Sequence, residues 1–217
     1  MAAAGPNSQK VIMEACGRYR RGEDEGIKRI DLVVTLDSGI AIDGLLARIC
    51  RMLHRPSSGC DVHDLCGHTP MAKGVRGQEA YTGSVKIHGQ HHFRRVNILV
   101  LPHERYAFAV MHMTGSTVFN QAMRNIAMLS SCRLSDTSLT RVERDEKGKV
   151  VWEGERIPCL SEDDIFMALK VLPVAPGDRC LEEGKFELVE KSEMVSTQRE
   201  GRCVPEQRRW FEFVSHH

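Results

Sequence analysis

A chain of 217 residues with 41% hydrophobic residues can bury one good core or two small adjoining ones. Its formal net charge of +1 provides no global basic field, so any attraction to nucleic acid has to come from local clusters. No run of eighteen apolar residues is present to span a bilayer, the start MAAAGPNSQK lacks the plan of a secretory signal, and the eight cysteines read as reduced thiols of an intracellular protein.

The first local cluster, Arg18, Arg20 and Arg21, precedes residues 30–36, IDLVVTL, whose β-branched and apolar side chains predict a buried strand carrying Asp31. From Asp43 onward Leu45, Leu46, Ile49, Met52 and Leu53 recur at helical spacing, with Arg48, Arg51 and Arg55 off that stripe, and Pro56 ends the predicted helix. Residues 57–80 are polar and Gly-rich without a sustained period and read as a surface loop or insertion. YTGSVKI and RRVNILVL read as strands joined by a turn at Gly89 and Gln90; the second carries Arg94 and Arg95 after His91, His92 and Phe93.

After Pro102 a short apolar stretch, YAFAVMHM, reaches Thr114, Gly115 and Ser116, whose turn and capping chemistry predicts a helix from about Thr117 to Leu129. Val118, Ala122, Ile126 and Leu129 form its expected buried face, while Asn120 and Arg124 share a polar one. RVERDEKGKVVW reads as a hairpin around residues 146–148, and Ser161 with the acids after it caps a short helix holding Ile165, Phe166 and Leu169. Residues 181–217 are mixed in charge, with an aromatic end, WFEF.

Three segments, in order, resemble the family X DNA polymerases, the beta, lambda and mu group. CGRYRRG at 16–22 is similar to the family's CGSYRRG phosphate-binding segment, and FRRVNILVLP at 93–102 to the strand bearing its third catalytic aspartate. TGSTVFNQAMR at 114–124 matches TGSxxFNxxMR at every fixed position, and SEDDIF and PxxR follow. The wording is closest to the lambda and mu members. The resemblance implies an α+β fold: a nucleotidyltransferase-like palm with a mixed or antiparallel sheet over 16–113, interrupted by the insertion at 57–80, then a small α/β thumb over 114–180. A short segment, 1–15, precedes the palm and an extension of unknown role, 181–217, follows the thumb. The implied activity is DNA-directed nucleotidyl transfer in DNA repair, in the nucleus, by gap filling or end joining. Its partners are gapped or end DNA, a deoxynucleoside triphosphate and repair proteins, with no membrane; Mg2+ or Mn2+ is the cofactor if the chain is active, and none otherwise. The family's lyase domain belongs upstream of Cys16, so no lyase activity is expected.

In this family two divalent metals bind the triphosphate and lower the pKa of the primer hydroxyl, and three carboxylates on neighbouring strands supply the charge that holds them. Anchored on IDLVVT, the family's GDVD falls on Lys28, Arg29, Ile30 and Asp31, and the third position falls on Asn97. Arg29 opposes each metal charge by about 4 kcal/mol at 4 Å and an effective dielectric of 20. Asn97 brings no negative charge and cannot accept the hydroxyl proton as a carboxylate could. Asp31 alone remains as an expected, weak metal ligand, and Glu23, Asp24 or Glu25 could replace the others only by rearranging the turn before the strand.

By the same resemblance Gly17, Arg18, Arg21, His112, Met113, Gly115, Asn120 and Arg124 form the nucleotide site. Arg21 would reach the triphosphate, Arg18 stands where the family has a serine, and His112 with Met113 replaces an aromatic pair at the sugar. Asn120 and Arg124 would contact the minor-groove side of the nascent pair, and Arg20, Arg94 and Arg95 would contact DNA. Cys60, His63, Cys66 and His68 offer zinc ligands, but too tightly spaced for a familiar finger, against a loop with incidental cysteines. His88, His91 and His92 read as strand-end residues near DNA. Three functions stay open: a catalytically impaired polymerase-like protein, a non-catalytic DNA- or nucleotide-binding module or pseudoenzyme that docks partners, and a diverged product with no stable role.

Overall fold

In the computed structural model, which describes residues 10–23, 26–37, 41–55, 58–66 and 77–179, five strands form one sheet. They are β1 (Val11–Cys16), β2 (Arg29–Leu36), β3 (Cys60–Cys66), β4 (Glu79–Ile87) and β5 (Arg94–Val100), in the spatial order β1-β2-β5-β4-β3. β2 and β5 run parallel and every other pair antiparallel, so the sheet is mixed. Helix α1 (Gly17–Arg20) follows β1, α2 (Leu45–Leu53) follows β2, and α3 (His103–Thr114) follows β5. Then come α4 (Thr117–Leu129), an antiparallel sheet of β6 (Cys132–Leu134), β7 (Leu139–Arg144) and β8 (Val150–Ile157), α5 (Glu162–Ala168) and a 3-10 turn, Pro176–Arg179. The fold is the expected α+β arrangement of a nucleotidyltransferase-like palm followed by a small thumb.

The two-residue period of the strands sorts their side chains onto two faces. On one, Val34, Leu36, Val96, Ile98, Val100 and Tyr81 pack against Leu45, Leu46 and Cys50 of α2. On the other, Val33, Leu99 and Leu101 meet Ala109 and Val110 of α3. This second face changes character along each strand: Val33 gives way to Asp31 and Arg29 on β2, and Leu99 to Asn97 and Arg95 on β5. A third cluster joins Phe108 and Met111 of α3 to Phe119, Met123 and Ile126 of α4 and Ile165 and Phe166 of α5. α3 is thus the shared wall between sheet and thumb.

Several expectations change. Residues 60–66, read as part of a loop, form β3 paired to β4, and residues 11–16, for which no element was predicted, form the edge strand β1 paired to β2. The apolar stretch after Pro102 is a full helix, buried at Ala107, Phe108, Ala109, Val110 and Met111. The buried face of α4 is Phe119, Met123, Ile126 and Ala127, leaving Val118 and Leu129 exposed. On α2 Met52 is exposed, and Cys50 takes the buried place expected of it. The hairpin of β7 and β8 and the cap of α5 are as expected: the Ser161 hydroxyl accepts from the Asp164 N–H while the Asp164 carboxylate accepts from the Ser161 N–H. No helix among the described residues is long and apolar enough to cross a membrane. The extension at 181–217 lies outside the described residues.

Candidate functional site

Parallel pairing of β2 with β5 puts Asp31 beside Asn97, and antiparallel pairing of β5 with β4 puts Asn97 beside Thr82, so the three side chains leave the same face in a row. Asp31 is 3% exposed, and both its carboxylate oxygens are occupied: Arg29 Nε donates to Oδ2 at 2.8 Å and Asn97 Nδ2 donates to Oδ1 at 2.6 Å. Asn97 Oδ1 in turn accepts from the Thr82 hydroxyl at 3.1 Å. The two residues standing where the resemblance expects carboxylates are therefore the donors that satisfy the remaining one. Gly17, with φ +69°, lies directly over this acid; a Cβ there would stand 3.1 Å from Asp31 Oδ2.

Two hard cations need several anionic oxygens, and the residues present do not fit that demand. One oxygen of the sole carboxylate faces a guanidinium and the other an amide N–H. Among the described residues no three His, Cys, Asp or Glu side chains gather as a metal ion would require. Glu23 is turned elsewhere, onto Arg18 Nε at 2.6 Å and Arg21 Nε at 2.8 Å, while Asp24 and Glu25 lie outside the described residues. Of the four possible zinc ligands Cys60 and His63 sit on β3, and the Cys66 side chain and His68 lie outside the described residues.

The nucleotide-site candidates converge where α3 hands over to α4. Arg21 donates to the Thr114 carbonyl, and a Cβ on Gly115 would stand 3.4 Å from Arg21 Nη1. Ser116 caps α4 by accepting from Phe119 N–H at 3.2 Å, which aims Asn120 and Arg124 back at α3. Asn120 Nδ2 donates to the His112 carbonyl at 2.8 Å, and both Asn120 Nδ2 and Arg124 Nη2 lie 3.4 Å from His112 Nδ1. Two donors facing Nδ1 favour a neutral ring with that nitrogen as acceptor. Burial first, then the Arg124 charge, push the His112 imidazole below its ordinary value, against an opposing pull from Asp136. A cavity of about 250 Å³ connects this end to the sheet, lined by Thr82, Asn97, Leu99, His112, Met113 and Asp136.

The cations expected on DNA divide. Arg94 and Arg95 are exposed at the start of β5. Arg20 instead turns inward, bonding Glu14 at 3.0 Å, the Thr114 hydroxyl at 2.9 Å and Glu162 at 2.7 Å. Glu162 also receives Arg179 at 2.7 Å, and Arg179 is 1% exposed, donates to the Val174 carbonyl and has its guanidinium 4.6 Å from the Phe119 ring centroid. Burial raises the Glu162 pKa, but hydrogen bonds and charge from Arg20 and Arg179 outweigh it and hold the carboxyl below its ordinary value. This cluster, which sequence reasoning missed, ties the CGRYRRG segment to α5 and the Pro176–Arg179 turn. Only the SEDDIF and PxxR wording hinted at it.

Comparison with known proteins adds two findings. A family profile described as DNA polymerase beta thumb matches residues 109–180. DNA polymerase lambda of Rattus norvegicus is 30% identical over 172 residues, 78% of this chain and 29% of that protein. DNA polymerase lambda of Arabidopsis thaliana is 30% identical over 167 residues, 76% of this chain and 31% of that protein. The chain thus spans less than a third of the length of these relatives.

Proposed function

The chain belongs to the family X DNA polymerases, of which it carries palm and thumb, and from that premise we propose that it is a nucleus-located scaffold of DNA repair that binds DNA and a deoxynucleoside triphosphate without a working two-metal centre. Gapped or broken ends are its substrates in this reading, and Asn120, Arg124, Arg21 and Gly115 frame the incoming nucleotide. The observation that carries it is the closed set of bonds around Asp31, whose two oxygens are held by Arg29 and Asn97. The family chemistry needs negative charge there to gather Mg2+ or Mn2+ around the triphosphate and primer hydroxyl. Here the same three strand positions carry one cation, one anion and one neutral amide, so the charge that would recruit the metals is cancelled in place.

What remains is a polar sheet face beside a helix end that presents Asn120 and Arg124. A nucleotide can be bound there by its base and sugar while the step that joins it to a primer is impaired. A gapped-primer extension assay with Mg2+ tests the reading. Wild type is expected to extend no faster than Asp31→Ala, and Arg29→Asp combined with Asn97→Asp to gain extension. Extension by wild type that Asp31→Ala abolishes would overturn it and leave a repair polymerase with a rearranged centre.

A further inference from the structure

We propose that the outer end of the Asp31 face binds an unpaired nucleic-acid strand, with Phe93 as the stacking surface for one base and Arg29 and Arg95 as phosphate contacts. The proposal rests on the DNA-binding reading above and adds to it the kind of strand bound.

Strand register carries the face outward from the acid. Arg29 pairs with Arg95, Arg95 with Ser84 and Ser84 with His63, and one step further Lys86 pairs with Asp61. Phe93 stands two residues before Arg95 and four before Asn97, about 13 Å along the strand from the centre of the site. It is 44% exposed, an unusual setting for a phenyl ring on a polar sheet face. Its neighbours fix its orientation. Lys86 Nζ lies 5.1 Å from the ring centroid, and the His63 ring meets it edge-on at 4.9 Å and 67°. Lys86 is itself anchored by Asp61 at 3.0 Å, and Asp61 reaches His88 at 3.3 Å.

Beside this ring the backbone gathers cations. Arg95 and its register partner Arg29 are both exposed and stand on the same face as Phe93. A positioned aromatic next to a row of cations is the combination that holds a single strand: phosphates on the charges, a base on the ring. A base inside a duplex already has both faces stacked and gains nothing from Phe93, so the cations attract either form and the ring favours the unpaired one.

Fluorescence anisotropy with the full chain tests this, using a labelled single strand of roughly 12 nucleotides and a blunt duplex of the same length. Phe93→Ala is expected to weaken single-strand binding about tenfold and duplex binding less than about twofold, with Phe93→Trp restoring the former. Arg29→Ala with Arg95→Ala is expected to weaken binding of both probes and flatten its salt dependence. Equal loss on both probes, no loss on either, or failure of tryptophan to restore binding would overturn the stacking site. Absence of binding to both probes would overturn it together with the DNA-binding reading; single-strand binding indifferent to Phe93 would overturn it alone.

Discussion

Two acids in this molecule, the buried Asp31 and the half-buried Glu162, each lie between two donors, and the donors differ in how they are held. Glu162 receives Arg20 and Arg179, both at 2.7 Å, and Arg179 is enclosed by Phe119, Phe166 and the Val174 carbonyl. Asp31 receives Arg29 and Asn97, but the Arg29 side chain is 61% exposed. A guanidinium buried like Arg179 loses the carboxylate that balances its charge when the acid goes, so the first cluster holds the thumb to the palm. A guanidinium largely in water like Arg29 has less at stake than Arg179, and its main consequence is the charge it places beside the carboxylate of Asp31. The same pair of residue types is structural in one place and electrostatic in the other.

The comparison can be broken most easily at Glu162. Glu162→Ala is expected to lower the unfolding free energy by about 3–5 kcal/mol in a urea melt, because Arg179 is left buried and unpaired. A loss no larger than that of a surface pair would erase the distinction. Acid should act through the same group. The folded-state pKa of Glu162 lies below its ordinary value of 4.5, so its contribution is complete above pH 4.5 and is lost as the pH falls through the lowered value. Wild type should therefore lose stability over that acid range more steeply than Glu162→Gln, as thermal melts across pH would show. Ser161→Ala should cost about 1 kcal/mol, since it removes the cap of the helix that presents Glu162. Arg29→Ala should cost less than Glu162→Ala, because the guanidinium is largely in water and Asp31 keeps its bond from Asn97; an equal loss would mean that Asp31 is clamped as tightly as Glu162.

The centre of the palm was legible because β2 and β5 are buried on both faces for much of their length and read as runs of Val, Ile and Leu. The edges were not. β1 alternates Glu14 and exposed Val11 and Met13 without a clean apolar face, and β3 carries Asp61 and His63 where a strand signal would want apolar residues. α3 hid its period by being apolar on nearly every side, since sheet and thumb both pack against it. On α4 Asn120 and Arg124 were recognisable as a pair, yet the buried face was displaced by one position because Phe119 and Met123 outweigh Val118 and Ala122. The positions of Arg29, Asp31 and Asn97 could be read by resemblance. That Arg29 and Asn97 donate to Asp31 could not, because it depends on the register between β2 and β5. The Arg20–Glu162–Arg179 cluster joins residues 142 and 17 positions apart, beyond any local pattern.

Arg29 and Asn97 stand in the place of metal-binding charge around Asp31, and Mn2+ titration followed by calorimetry tests this most directly. In the presence of a deoxynucleoside triphosphate, wild type should show no protein-dependent Mn2+ site beyond those of the nucleotide itself, and Arg29→Asp with Asn97→Asp should create one. A wild-type site that disappears in Asp31→Ala would contradict the account.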